Sequence, residues 1–229
     1  MANTSIGGGV NDDGSLQNTL ILDDKYSDRI DIVNLENAGV TELAINKRVK
    51  QAEIGLKGDK DVAIAGSGFH NATLINEAPE GETAKVVLAV RKAKRLNFVT
   101  TGEGATDFSA PEGRYMKPTV TTAEGDVDDS ISFGDASTVK SAKVSTGGGD
   151  DSIVFDGRLK GKTTVETGSG SDVITVRRRG GKGKLILSDF SDTDKLIVID
   201  ETEGAKDAGT FTTANLDDAP KWIKFPNND

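Results

Sequence analysis

A repeat of 21 to 22 residues constrains this chain more than any other feature of its sequence. Three segments align without gaps: EGDVDDSISF (124–133), TGGGDDSIVF (146–155) and TGSGSDVITV (167–176). Asp129, Asp151 and Asp172 occupy the same position in the three copies. A short fixed period predicts a chain of stacked structural units, each of which buries its apolar face against its neighbours.

Weaker copies extend the repeat toward the N-terminus. We align Asp107 with Asp129, with one extra residue in its turn, and the segments around Asp61 and Asp28 keep an Asp followed by apolar residues. The repeat therefore covers most of the chain.

Each copy contains two short runs in which apolar and polar residues alternate, such as 143–145 and 130–133, separated by glycine-bearing turns. Alternation with period two, in runs rich in Val, Ile, Thr and Phe, is typical of β-strands. We therefore predict an all-β fold: a single right-handed parallel β-solenoid, similar to a β-helix or β-roll, with roughly eight coils. The sequence leaves open whether each coil has two or three sheet faces.

The solenoid is predicted to span residues 19–200. Segments 19–33 and 185–199 both join apolar strands through a tight acidic turn, and we interpret them as the first and last coils. Residues 1–18 and 201–229 lack the period. We expect them to be an N-terminal arm and a C-terminal cap or docking arm, because the open edges of a stacked sheet need protection.

Composition excludes several functional classes. The chain has 229 residues, no cysteine and one histidine, so disulfides, thiolate zinc sites and sites with several histidines are excluded. We predict His70 to be a turn or surface residue without a partner. The net charge of −9 argues against nucleic-acid binding. No apolar run is long enough to span a membrane, and we expect no Sec-type signal at the N-terminus. No catalytic motif is present, and we predict that the chain is not an enzyme.

The acidic turns resemble a known calcium-binding repeat. Segments beginning at Thr146 and Thr167 match all but the first Gly of the pattern Gly-Gly-x-Gly-x-Asp-x-apolar-x, while Val127 replaces a fixed Gly in the copy before them. This pattern resembles the RTX (repeat-in-toxin) β-roll, and residues 185–198 resemble the closing strand pair of that family. The resemblance implies calcium bound between stacked turns.

Oxygen ligands from turns stacked about 4.8 Å apart suit calcium on physical grounds as well. The candidate calcium ligands are Asp129, Gly147, Gly149, Asp151, Gly168, Gly170 and Asp172. The alternative is that Asp and Gly simply form good tight turns.

Basic residues recur half a period away from the acidic turns. The candidate partner-binding residues are Arg91, Lys92, Lys94, Arg95, Arg158, Lys160, Lys162, Arg177, Arg178, Arg179, Lys182 and Lys184. Lys47, Arg48, Lys50, Arg114, Lys117, Lys140 and Lys143 have the same phase. Because stacked like charges repel, this basic row is expected to contact an acidic protein surface, an anionic polysaccharide or the acidic edge of another copy. The alternative is that these cations keep the edge soluble.

Two functional hypotheses follow. The first is a non-enzymatic structural protein of a virion surface, as a capsid decoration or tail-associated solenoid, which contacts other virion proteins or itself. The second is a secreted RTX-like calcium-binding protein of a cell surface layer, or an adhesin. Calcium is the only cofactor that either hypothesis includes.

Overall fold

The computed structural model describes residues 19–22, 29–32, 41–57, 61–179, 182–202 and 208–225. These residues form a β-solenoid of about seven turns, which confirms the predicted fold class and lies close to the roughly eight coils expected. Residues 1–18 of the predicted N-terminal arm lie outside the described residues, as do Asp28 and Gly58 of the upstream repeats.

Two long ladders of parallel strands form the body of the solenoid. Ladder one contains β1 (Thr19–Leu22), β3 (Glu42–Ile45), β5 (Val62–Gly66), β7 (Thr83–Val90), β9 (Ala105–Tyr115), β11 (Ser130–Lys140), β13 (Ser152–Phe155), β16 (Val173–Arg178) and β18 (Lys195–Asp200). Ladder two contains β2 (Arg29–Ile32), β4 (Val49–Lys57), β6 (Phe69–Glu77), β8 (Lys92–Thr101), β10 (Pro118–Thr121), β12 (Lys143–Ser145), β15 (Lys162–Glu166) and β17 (Lys184–Leu187). The chain alternates between the two ladders, so each coil contributes one strand to each ladder.

A short third ladder closes each coil at the corner that carries the basic row. The end of β9 pairs with the start of β8, and the end of β11 pairs with β14 (Arg158–Lys160). This answers the question that the repeat leaves open: the coils have two long faces and a short third one.

The core consists of rows in which equivalent residues of successive coils stack. One row contains Val62, Val86, Phe108, Ile131, Ile153, Ile174 and Leu196. The facing row contains Ile54, Leu74, Phe98, Val120, Val144, Val165 and Leu187. All of these side chains are buried. Burial of each one stabilises the fold by about 1.5–3 kcal/mol, which a single coil could not obtain alone.

Aromatic rings fill the middle of the core. The Phe133 ring lies parallel to that of Phe155 at a centroid distance of 5.5 Å, and it meets Phe108 and Tyr115 edge-on at 5.9 and 5.8 Å. The Tyr115 hydroxyl has one proton to donate and lies within hydrogen-bond distance of the carbonyl oxygens of Leu88 and Glu112, so its polar end is satisfied within the core.

The C-terminal segment covers the end of the last coil. β19 (Gly209–Phe211) pairs antiparallel with β18, a 3-10 helix spans Thr213–Asp218, and β20 (Ile223–Lys224) pairs parallel with β17. Phe211, Ile223 and Phe225 are buried in this segment. In the part of the chain that the structure describes, no helix has the length and apolar character needed to cross a membrane.

The stacked core predicts that truncating a side chain on the inner face of ladder one lowers the free energy of unfolding more than truncating one on its outer face. We expect Phe133→Ala to lower the free energy of unfolding by about 3–5 kcal/mol, because it removes a fully buried ring with three aromatic neighbours. Urea denaturation followed by circular dichroism measures the change.

The matched control is Val154→Ala, because Val154 is on the next coil of the same ladder and is only half-buried. We expect it to cost less than about 1 kcal/mol. Equal costs for the two variants would contradict the assignment of inner and outer faces.

Candidate functional site

The acidic turns stack in register at one corner of the solenoid. Asp126, Gly148 and Ser169 form bridges between successive turns, and Gly147, Gly149, Gly168 and Gly170 all have positive φ. A Cβ on Gly168 would lie only 1.4 Å from the carbonyl oxygen of Gly147, so glycine is required for the turns to approach this closely. All seven candidate calcium ligands therefore lie at this corner, as the repeat predicts.

Four aspartates, the inner aspartates, connect these turns through their side chains. They are Asp129, Asp151, Asp172 and Asp194, and each is at most 2% exposed. The Oδ1 atom of Asp151 accepts the backbone N–H of Asp129 at 2.8 Å, and Asp172 and Asp194 accept the equivalent N–H of the preceding coil at 2.9 and 3.1 Å. The carboxylate of each coil thus satisfies a buried amide that the turn removes from the sheet.

The register of the ladder differs from the sequence alignment at its first member. The Oδ1 atom of Asp129 accepts the N–H of Thr106 at 2.6 Å, and Ser130 pairs with Asp107. The residue equivalent to Asp129 is therefore Thr106, and the alignment of Asp107 with Asp129 is wrong by one residue. A one-residue shift moves a side chain to the other face, so the Asp107 carboxylate lies outside the core, 3.8 Å from Lys85.

Burial makes the inner aspartates hard to ionise. Desolvation raises the pKa of Asp151 to about 7, and the charges of Asp129 and Asp172 add to this effect. Desolvation also raises the pKa of Asp129 and of Asp172. A carboxyl group in its protonated form keeps a hydrogen-bond acceptor without the cost of a buried charge.

Buried threonines line the other side of each turn. The hydroxyl of Thr122 donates to the carbonyl of Thr146, and the hydroxyl of Thr146 donates to the carbonyl of Thr167. These hydroxyls lie beside the inner aspartates and lower their pKa, opposing the effect of burial. The hydroxyl protons of Thr122 and Thr146 are donated to carbonyl oxygens of the next coil rather than to the aspartates. The Oδ2 atoms of Asp129, Asp151 and Asp172 therefore accept no hydrogen bond.

A second, outer row of side chains forms the same kind of bond in the opposite direction, with the carboxylate of one coil accepting an amide of the next coil. Asp128 Oδ1 accepts the N–H of Asp150 at 2.7 Å, and Asp150 Oδ1 accepts the N–H of Ser171 at 2.8 Å. These bonds are exposed to solvent. Each acidic turn is thus fixed to its neighbour by two carboxylates.

The fit of these turns to calcium depends on which oxygens remain. Each inner aspartate uses Oδ1 for an amide, and Asp194 also uses Oδ2 for the amide of Ser191. The Oδ2 atoms of Asp129, Asp151 and Asp172 and the exposed outer carboxylates are left for a cation. The turn carbonyls of Gly125, Gly147 and Gly148 accept amides of neighbouring coils. Among the described residues, no group of three or more acidic or histidine side chains is placed to hold a metal ion. Calcium binding here stays a prediction.

The basic row lies at the opposite corner, where the short third ladder runs. In this third ladder Lys92 pairs with Arg114, Thr138 pairs with Arg158, and Lys140 pairs with Lys160. Lys162 pairs with Lys184 at the adjoining end of ladder two. The third ladder thus brings the predicted cations of successive coils together.

Carboxylates neutralise the C-terminal part of the row. Arg177 bonds Asp156 at 2.9 Å and also pairs with Glu201, while Arg179 contacts Glu201 at 3.1 Å. Arg178 pairs with Asp200 at 3.4 Å and lies over the Trp222 ring. Burial opposes ionisation of Asp200, but hydrogen bonds from Thr202 and the charge of Arg178 outweigh it and lower its pKa.

The other nine candidate partner-binding residues are not neutralised in this way. In the described part of the chain, no ion pair is formed by Arg91, Lys92, Lys94, Arg95, Arg158, Lys160, Lys162, Lys182 or Lys184. The positive charge of these nine side chains is therefore not balanced by a carboxylate of the described residues.

His70 differs from its prediction, because it lies in strand β6 and has a partner. The Nζ atom of Lys94 donates to its Nε2 atom at 3.1 Å. Desolvation and the charges of Lys94, Arg48 and Arg95 lower the pKa of His70, which favours the neutral ring.

The sequence contains a signal for the structural role of the aspartates that the Gly- and Asp-based calcium motif does not include. A threonine precedes the inner aspartate in each acidic turn, at Thr122, Thr146 and Thr167. The combination of a buried Thr and a buried Asp in every repeat marks a hydrogen-bonded ladder, whereas Gly and Asp alone fit both a ladder and a metal turn.

The raised pKa of Asp151 predicts an unusual dependence of stability on pH. A group whose pKa is higher in the folded state stabilises the fold while protonated, and this stability is lost as pH rises through the folded pKa. We expect thermal stability, measured in EGTA, to fall between pH 5 and pH 8. We expect Asp151→Asn to raise it at pH 8 by about 1–4 kcal/mol and to change it little at pH 5, because asparagine keeps the acceptor without a charge.

The control is Asp150→Asn, which changes the neighbouring exposed carboxylate. We expect this variant to keep the wild-type dependence on pH. Stability that rises from pH 5 to pH 8, or loss of stability by Asp151→Asn at both values, would contradict the protonated ladder.

Comparisons with family models, with curated proteins and with solved structures find no match for this chain. The resemblance of its acidic turns to RTX repeats therefore stays a prediction, as do the functions that the resemblance implies. What the chain does has to be argued from the two corners of its solenoid.

Proposed function

We propose that this chain is a non-enzymatic structural protein, a rigid β-solenoid that makes repeated protein contacts within a larger assembly at a virion surface. The observation that carries this proposal is the use of the inner aspartates. Each of Asp151, Asp172 and Asp194 holds the backbone amide of the coil before it. The polar groups that could have formed a reactive site serve instead to fix the shape of a rod.

The arrangement of charge supports the same proposal. Catalysis needs acidic, basic and nucleophilic groups that converge on one point. In this solenoid the acidic side chains lie along one corner and the basic ones along the other, about one set per coil. Such rows suit a partner that presents its own repeated contacts, because several weak contacts on one rigid body add up in affinity.

The basic row supplies the proposed partner surface. Its unpaired members, among them Arg158, Lys160 and Lys162, suit an acidic counter-surface on another virion protein or on a second copy of this chain. Arg177, Arg178 and Arg179 have a different role in this proposal, since their ion pairs attach the row to residues 200–201.

One observation favours the second candidate, a secreted RTX-like calcium-binding protein of a cell surface layer or an adhesin. The Oδ2 atoms of three inner aspartates are buried without a hydrogen-bond donor. A cation, or the proton that the raised pKa of Asp151 favours, would satisfy such an oxygen. The two candidates therefore predict different responses to calcium.

Density-gradient fractionation of particles from the source culture tests both candidates. The gradients are run with calcium and with EGTA, and the chain is followed by immunoblot. We expect it to sediment with large particles in both buffers, because the proposed solenoid is held by strands and aspartate bonds rather than by metal. The control is purified chain added to a lysate without particles.

Two outcomes would contradict the assembly proposal. If the chain stays with free proteins in both gradients, it is not part of a large assembly. If it sediments with large material only in calcium, the calcium-dependent surface protein becomes the better explanation.

A further inference from the structure

A basic pocket lies on the N-terminal half of the basic row. An open cavity of about 440 Å³ is lined by Arg48, Ser67, Arg91, Lys92 and Arg114. Its lining includes four cations and no carboxylate. The pocket is therefore locally positive in a chain whose net charge is −9.

The backbone brings these cations together. The N–H of Arg91 donates to the carbonyl of Gly66, and the N–H of Arg114 donates to the carbonyl of Arg91, so the two arginines lie on adjacent coils. Gly113 has a φ of 107°, and a Cβ there would lie 1.9 Å from the carbonyl oxygen of Val90. Glycine at this position lets the coil that carries Arg114 lie close to the coil that carries Arg91.

The arginines keep donors free for a ligand. Arg48 gives its Nε–H to the carbonyl of Phe69, while its Nη2 atom is buried and donates to no acceptor. Arg91 donates from Nη2 to the Ser67 hydroxyl, which itself donates to the carbonyl of Asn46. Ser67 therefore orients Arg91. Within the described residues, none of the four cations forms an ion pair, in contrast to Arg177 and Arg179.

We propose that this pocket binds a tetrahedral oxyanion group, a phosphate or a sulfate. Each guanidinium is a planar fork that pairs with two oxygens. Three such forks and a lysine from three coils offer more N–H donors than the two oxygens of a carboxylate can accept. A phosphate or sulfate group offers three or four oxygens and at least one negative charge, so it can accept more of these donors than a carboxylate can, and its charge is opposite to that of the pocket.

The inference goes beyond the assembly role. It concerns the ligand chemistry of one pocket and requires neither a virion nor an acidic protein partner. Arg158 belongs to the same row but does not line the pocket, so a variant at this position distinguishes binding in the pocket from binding along the row.

Isothermal titration calorimetry of the full chain at low ionic strength and pH 7.5 tests the proposal. The probes are sodium sulfate, inorganic phosphate and sodium acetate. We expect one site for sulfate and phosphate, and binding of acetate at least about tenfold weaker. We expect Arg91→Gln and Arg114→Gln each to weaken binding of the dianions about tenfold or more, because each removes a charged hydrogen-bond donor.

The matched control is Arg158→Gln, which removes the same charge from an exposed part of the same row. We expect it to change the affinity less than about twofold. Thermal melting checks that each variant is folded, and Lys92→Gln replaces any variant that is not. Absence of binding by both dianions would overturn the proposal. Equal weakening by Arg91→Gln and Arg158→Gln would also overturn it, because it would indicate only diffuse attraction of anions to the whole basic row.

A second titration separates two sources of the same group. A short sulfated dextran fragment presents sulfate esters, whereas inorganic phosphate presents the free ion. Tighter binding of the fragment than of inorganic sulfate, lost in Arg91→Gln, supports a sulfated polysaccharide as the source. Equal or tighter binding of the free phosphate ion supports a small-ion site. Failure of both probes contradicts the site, whereas the assembly proposal is decided separately by the gradients.

Discussion

The hydrogen bond from a turn amide to the inner aspartate of the next coil is the interaction on which the C-terminal coils of this solenoid, from Thr106 to Asp194, depend. A parallel coil must leave the sheet at each corner, and the amides at the bend need acceptors because they stay buried. Asp151, Asp172 and Asp194 supply these acceptors. With the turns fixed in this way, the strands on both sides stay in register, and the apolar rows stack without offsets.

The same bond explains why the two corners differ in chemistry. At the acidic corner the carboxyl groups of the inner aspartates face inward, and desolvation raises the pKa of Asp129, Asp151 and Asp172. Burial thus disfavours the charged form of these three groups. At the basic corner the side chains lie outside the core, and carboxylates neutralise Arg177, Arg178 and Arg179. The corner that resembles a metal site thus holds coils together through its inner aspartates, while the basic corner exposes cations such as Arg158 and Lys160 that form no ion pair with the described residues.

The sequence was sufficient for the fold and for the positions of both corners. A period of 21 to 22 residues and alternating runs predict parallel coils, because equivalent residues must stack. Three features could not be predicted from the sequence. The alignment of Asp107 with Asp129 failed because register depends on a single residue in the turn. The ion pairs of Arg177 and Arg179 with Glu201 join residues of different phase. The use of each aspartate oxygen depends on atomic geometry that a motif does not contain.

Hydrogen exchange of the inner aspartate amides, followed by NMR, tests the central claim most directly. If the N–H groups of Asp129, Asp151 and Asp172 are bonded to the carboxylates of the next coil, they should exchange as slowly as amides of the buried strands, such as that of Ile153. Exchange as fast as at Gly81, in an exposed turn, would show that the carboxylates do not hold the coils together.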